Sequence, residues 1–333
     1  MQNNTTKITN NRRLAFGPRD NLMNMSRIRY PWAIEVYDRM ESNTWFPKSI
    51  PLGGDRESYR TDLTGRERSA FDKALAFVSN LDGIQFNNLI CNIGQHITAP
   101  EVSLALARQA AEEGVHVRSY QFMIEAISMD PEGVYMMFER DGRLAAKNEN
   151  IMASSRVLKD EPTPANFARA IVGNVILEGI YFYSAFLTFY ILARNGKMLA
   201  SADMIKYINR DEGETHLDLF VNMHHTFKQE NPELYDEKFR EDAIELIKQA
   251  TEMEINWGKY IIQGGFLGLT DGVVEHFVKG LANKRAAVLG LGLLYPGVEN
   301  AVPWFEDFSK PNGTRANFFE SRVTDYAVSG LAW

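Results

Sequence analysis

The sequence predicts an all-α protein, a bundle of long helices around one core. Helix-capping patterns recur along the whole chain, and residues 170–193 form a 24-residue apolar stretch broken by a single acid. No segment alternates polar and apolar residues between hairpin turns. Thr64-Gly-Arg-Glu67 has the capping-box form and opens a run reaching about Ile93. Thr98-Ala-Pro-Glu101 opens another, which ends before Asp130-Pro131. Thr163-Pro164 leads into the apolar helix, and Asn195-Gly196 stops it. Further helical patterns run from about Ala202 to Phe227, Asp236 to Gln263 and Gly272 to Leu289. Long helices with short connections pack as a bundle. Residues 1–25 read as a flexible arm, 26–310 as the one domain and 311–333 as a tail, because no linker-like or low-complexity segment divides the middle.

Composition narrows the class. Of 333 residues, 45% are hydrophobic and 24% charged, enough to bury a large core. A net charge of −7, from 43 acids against 36 bases, speaks against a non-specific nucleic-acid binder. One cysteine, Cys91, excludes an intramolecular disulfide framework and any Cys-rich metal site, and suits a cytoplasmic location. The polar N-terminus lacks the apolar core of a signal peptide. Residues 170–193 are long enough to span a bilayer. Yet Glu178 sits at mid-span, where a charge is costly, and no second apolar segment accompanies it. The stretch therefore reads as the central helix of a bundle rather than a membrane span. Glu178 then needs a partner.

Partners are present at helical spacing. Glu113 and His116 stand three apart on one helix face, a pair that is weak by itself. Thirty-one residues before Glu113, Asp82 interrupts another apolar helix. Thirty-four residues after Glu178 comes Asp211-Glu-Gly-Glu-Thr-His216, a second carboxylate–histidine pair. The chain thus reads carboxylate, carboxylate–His, and the same again. Four helices offer four acids and two imidazoles, the inventory of ferritin-like di-metal carboxylate proteins. Hard oxygen ligands suit iron or manganese, with imidazole completing the set. A buried ion-pair network is the bland alternative, but these apolar helices hold too few cations to neutralise four acids. A metal pair does.

At this point the sequence resembles the radical-generating small (beta) subunit of class I ribonucleotide reductase, over nearly its whole length. The resemblance implies one metal site of Asp82, Glu113 and His116, and another of Glu178, Glu212 and His216. It places the radical-bearing tyrosine at Tyr120, one turn after His116, and an apolar radical pocket at Phe182, Phe186 and Ile208. It also implies an electron route through Trp45 and Asp211, with Tyr326 in the tail relaying the radical to a separate large subunit. The cofactor expected is a di-iron centre, with manganese–iron as the alternative, plus a tyrosyl radical on Tyr120. The assembly expected is a homodimer that needs oxygen, an electron donor and the large (alpha) subunit. No nucleic acid and no membrane are expected as partners.

Two departures stand out. Glu212 and His216 are four apart, where the family usually shows three. Four residues still leave the groups only about 40° apart on a helix, and a π-bulge would also absorb the extra residue. Glu214, two residues from His216, points roughly the opposite way, so Glu212 is the expected ligand. The tail ends seven residues after Tyr326, shorter than in many relatives, which leaves 327–333 as the candidate docking segment. Two other readings compete: a di-metal oxidase with its own substrate, and an iron store. Trp45, Asp211 and Tyr326 disfavour the first, and the chain length and Tyr120 disfavour the second.

Overall fold

The computed structural model describes residues 10–19 and 21–309, and Tyr326 lies outside them. Among the described residues every regular element is helical, apart from isolated β-bridges at Ala15–Ile97 and Phe266–Leu269. The long helices are α1 (Pro31–Ser42), α2 (Gly53–Thr61), α3 (Gly65–Cys91), α4 (Pro100–Ile127), α5 (Gly142–Asp160), α6 (Pro164–Ile176), α7 (Tyr183–Arg194), α8 (Leu199–Arg210), α9 (Leu217–Glu230), α10 (Glu237–Ile262) and α11 (Asp271–Val288). Two π turns, Leu177–Tyr181 and Asp211–His216, join α6 to α7 and α8 to α9 without breaking the helical path. The predicted all-α bundle is therefore the observed one.

Local chemistry explains most boundaries. Thr64 and Glu67 form the capping box at the start of α3. Thr163, Asp236 and Thr270 each accept a backbone N–H and cap α6, α10 and α11. The box expected at Thr98–Glu101 does not form. The Thr98 hydroxyl instead donates to the Arg13 carbonyl at 2.8 Å, and Glu101 accepts the N–H groups of Arg29 and Tyr30 at 2.7 and 3.0 Å. Both capping groups are thus occupied by the N-terminal segment. Residues 10–19, read from the sequence as part of an arm, pack onto the bundle accordingly. Leu14 and Ala15 are buried, and Glu230 accepts the Leu14 N–H and pairs with Arg13 and Arg29.

Packing turns the apolar helix into the centre of the molecule. From Phe182 to Leu192 every residue is buried. The apolar helix spanning Pro164–Arg194 is long enough to cross a membrane, but its apolar window lies wholly inside the protein. It packs on α3, α9 and α10, while α3 and α4 pair along their lengths. The core is one continuous cluster, and the carboxylates and imidazoles found by spacing lie within it.

Candidate metal centre

The six predicted ligands converge. Asp82 comes from α3, Glu113 and His116 from α4, Glu178 from the first π turn, and Glu212 and His216 from the second. All six are completely buried. Ligand atoms of Asp82, Glu113, His116 and Glu212 lie within 4.8 Å of one another, and so do those of Glu113, Glu178, Glu212 and His216. Glu113 and Glu212 belong to both groups, so these two carboxylates are placed to bridge. Glu214 is exposed and outside the cluster, while Glu212 Oε2 lies 2.9 Å from His216 Nδ1. The extra residue between Glu212 and His216 is absorbed by the π turn.

Both imidazoles are held from behind. His116 Nε2 faces Asp211 Oδ2 at 3.3 Å, and His216 Nε2 faces Glu112 Oε2 at 3.0 Å, leaving each Nδ1 toward the cluster. A carboxylate behind the ring fixes its orientation and the position of its proton. Arg210 holds Asp211 at 2.8 Å and Arg108 holds Glu112 at 3.0 Å. Glu112 was not found from the sequence, although a signal exists. An acid precedes the ligand glutamate in both Glu112-Glu113 and Asp211-Glu212, and each such acid serves the imidazole of the other pair. Gln85 and Gln109 were also missed. Their amides donate to Glu178 Oε1, Gln109 at 2.7 Å, and no spacing rule marks them.

The electrostatics favour a bound cation. Both Asp82 oxygens, Glu113 Oε2 and Glu178 Oε2 are buried without a hydrogen-bond partner, while Glu212 Oε1 lies 2.9 Å from His116 Nδ1. Orphaned oxygens of this kind are rare in native cores. Burial, then repulsion from neighbouring carboxylates, raises Asp82 and Glu178 well above the usual carboxyl range. Burial opposes charge on His116 and His216 as well, but the surrounding carboxylates outweigh it and raise both. Burial likewise opposes charge on Glu212, yet the two imidazoles hold it well below the usual range. Four acids against two imidazoles cannot be neutral without added protons or metal. The open lone pairs and the hard donor set fit two divalent cations.

The remaining predicted residues divide into those the structure brings to the cluster and those it only buries. Trp45 Nε1 donates to Asp211 Oδ2 at 2.7 Å, so indole, carboxylate and His116 are linked in series. Tyr120 is fully buried, and Asp82 is the polar group its hydroxyl meets. Burial, followed by the charges of Asp82, Glu212 and Glu113, pushes its pKa well above the ordinary value. Phe182 and Phe186 stack at 5.6 Å and are fully buried, as is Ile208.

The family model described as "Ribonucleotide reductase, small chain" matches residues 22–301. The chain belongs to the ribonucleotide reductase small-chain family. It is 36% identical over 323 residues to the ribonucleoside-diphosphate reductase subunit beta of Treponema pallidum, covering 96% of this chain and 91% of that one. It is similar in structure to the ribonucleotide reductase R2 subunit from Clostridium botulinum, with a TM-score of 0.87 and 39% identity over 90% of this chain and 95% of that one. A dimanganese(II) NrdF of Streptococcus sanguinis shares the fold at a TM-score of 0.75 and 22% identity, over 86% and 98% of the two chains. Membership in this ribonucleotide reductase family, together with the carboxylate–histidine cluster, supports a dinuclear metal centre and a large-subunit partner. The resemblance read from the sequence is thereby borne out.

Proposed function

We propose that this ribonucleotide reductase small subunit stores an oxidising equivalent on Tyr120 and lends it to a large subunit that reduces ribonucleoside diphosphates. Asp82, Glu113, His116, Glu178, Glu212 and His216 would hold the metal pair in this reading, Glu113 and Glu212 lying within reach of both ligand groups. The observation that carries it is the pair of overlapping, fully buried ligand groups, in which Asp82, Glu113 and Glu178 each keep an oxygen without a hydrogen bond. A bound metal pair supplies oxygen reduction, the source of the oxidising power. The residues around it do the rest. Asp211 and Glu112 fix the imidazoles, and Gln85 and Gln109 hold one oxygen of Glu178. Tyr120 loses one electron and its phenolic proton, and the apolar positions Phe182, Phe186 and Ile208 exclude water and reductants that would quench it. The route outward runs from His116 through Asp211 to Trp45, and Tyr326 completes it toward the large subunit.

The metal pair in this proposal is iron, with manganese–iron as the alternative, because an oxidisable tyrosine stands at position 120. Oxygen and an external electron donor activate the centre, the subunit works as a homodimer, and its compartment is the cytoplasm. Electron paramagnetic resonance and metal analysis after aerobic loading with Fe(II) test the proposal. The expected result is two metals per chain and a tyrosyl signal that tracks turnover with the large subunit. Turnover in the absence of any tyrosyl signal would refute the radical assignment.

A further inference from the structure

The turn that presents Glu178 is built from a π segment, and a π segment leaves backbone groups without the partners an α-helix would give them. Two side chains from other helices take them up. In an uninterrupted helix the Ser184 N–H would donate to the Ile180 carbonyl; here it donates to Glu254 Oε1 at 2.9 Å. The Gly179 carbonyl, which would accept from Tyr183, accepts from Arg285 Nε at 3.0 Å. Arg285 Nη2 also lies 3.3 Å from the Tyr183 hydroxyl. Both approaches are cut to fit. A Cβ at Gly179 would lie 2.4 Å from Arg285 Nε, and one at Gly258 would lie 2.7 Å from Ser184 Oγ.

The charge on Glu254 has its own arrangement. Glu254 is fully buried and paired with Lys147, which is itself buried in α5. The Lys147 ammonium lies 3.8 Å from the centre of the Phe77 ring and 5.5 Å from those of Tyr181 and Trp257. Tyr181 is the last residue of the π turn. A buried ion pair adds little stability over apolar residues of equal size, so its presence needs another reason. Here it carries a fixed acceptor to one backbone N–H that water does not reach. Neither Lys147, Glu254 nor Arg285 belongs to the ligand cluster.

We propose that Glu254, neutralised by Lys147, and Arg285 are positioning residues that hold the Leu177–Tyr181 turn and thereby keep Glu178 in register with Glu113, Glu212 and His216. This rests on the reading of that cluster as a metal pair. The test is Mn(II) binding to the full chain, followed by the signal of free Mn(II), in two double variants that both remove the buried charges. Lys147→Met with Glu254→Gln keeps a carbonyl acceptor for Ser184, whereas Lys147→Met with Glu254→Leu does not. Wild type and the Gln variant should bind two Mn(II) per chain. The Leu variant should keep one tight Mn(II) and bind the second about 10–100-fold more weakly, the usual consequence of losing outer support at a metal site. Backbone amides of residues 177–184 should exchange faster in the metal-free Leu variant and not in the Gln variant. A purely structural role would instead weaken both metals together and in both variants. Should the core variants fail to fold, half-buried Arg285 gives the same test, with Arg285→Met expected to weaken only the second Mn(II) and Arg285→Lys to restore it. Wild-type loading of two Mn(II) alongside equal loading of the Leu and Arg285→Met variants overturns the clamp alone. A wild type that takes up no pair of Mn(II) overturns the metal reading and the clamp with it.

Discussion

Removing the Tyr120 hydroxyl separates two roles that a buried tyrosine can have. This hydroxyl is fully buried, with Asp82 as its one polar neighbour in hydrogen-bonding range. Its removal costs at most about one hydrogen bond, roughly 1 kcal/mol, so Tyr120→Phe should leave the stability of the fold unchanged to within about that amount. At this chain length 1 kcal/mol shifts the melting temperature by roughly 2 °C or less, which bounds the change at about 2 °C. Ring and volume are otherwise kept, so the ligands should load as in wild type. After aerobic Fe(II) loading the variant should hold the same metal complement, show no long-lived phenoxyl signal and support no ribonucleotide reduction. Calorimetry of the metal-free pair, metal analysis and electron paramagnetic resonance read these outcomes separately. A drop in melting temperature of more than about 3 °C would mean that the hydroxyl supports the fold by more than one hydrogen bond. A persistent tyrosyl signal in the variant would remove Tyr120 from the radical site.

Other perturbations address the rest of the centre. His216→Ala should abolish stoichiometric binding at one site and Glu212→Ala, which removes a carboxylate common to both groups, at one site at least, while Glu214→Ala, at an exposed position, should do neither; the reverse pattern in a metal titration would reassign the ligand. Glu112→Gln should weaken metal binding about 10–100-fold with little change in unfolding temperature, since it leaves His216 in place but alters the group behind it; unchanged affinity would count against a positioning role. Tyr326→Phe should leave metals and stored radical intact and eliminate turnover with the large subunit, so retained turnover would exclude it from the route. The metal-free protein should lose stability as pH rises above the ordinary histidine value of about 6.5. Asp82, Glu178, His116 and His216 all have raised pKa values in the fold, so the native state holds extra protons above that value and rising pH favours the unfolded chain. The lowered acids Glu212 and Asp211 act only at lower pH. Metal loading replaces those protons, and a metal-loaded melting curve as pH-sensitive as the metal-free one would contradict the charge assignment.

What the sequence discloses about this site depends on whether a residue contradicts its surroundings. Glu178 stands out because it is the one acid in a 24-residue apolar stretch, and Asp82 because it interrupts an apolar helix. The π turn at Asp211–His216 is legible from one extra residue between paired ligands. The turn at Leu177–Tyr181 is not, because Glu178 has no second ligand on its helix against which a spacing can be measured. Glu112, Gln85 and Gln109 act by direction alone, and a polar residue's direction is invisible without the partner helix. Helix α5 escapes notice for a related reason. Its buried face carries Lys147 and Asn148 beside Leu144, Ile151 and Leu158, so the apolar stripe is interrupted by groups that find their partners only in three dimensions.

The two halves of the centre are built on different backbones, and this bears on how the site works. Asp82, Glu113 and His116 ride on α3 and α4, uninterrupted helices of 27 and 28 residues that pair along their lengths. Glu178, Glu212 and His216 ride on two π turns that pack against each other. A regular helix fixes ligand positions through its whole hydrogen-bond ladder, whereas a π turn is a local insertion whose register is set by the groups that satisfy its freed backbone atoms. The first half is therefore positioned by the fold as a whole, and the second by a few specific contacts. Those contacts reach the turns from outside the ligand set: Glu254 and Arg285 at the first, Glu112 through His216 at the second. Glu178 belongs to one ligand group, so a shift of the first π turn is felt there alone, whereas a shift of the second reaches both groups through the shared Glu212, while α4 keeps Glu113 still. Geometry at the second position is thus adjustable by residues that never touch metal, and it is there that sequence differences among relatives should tune which metal the centre prefers.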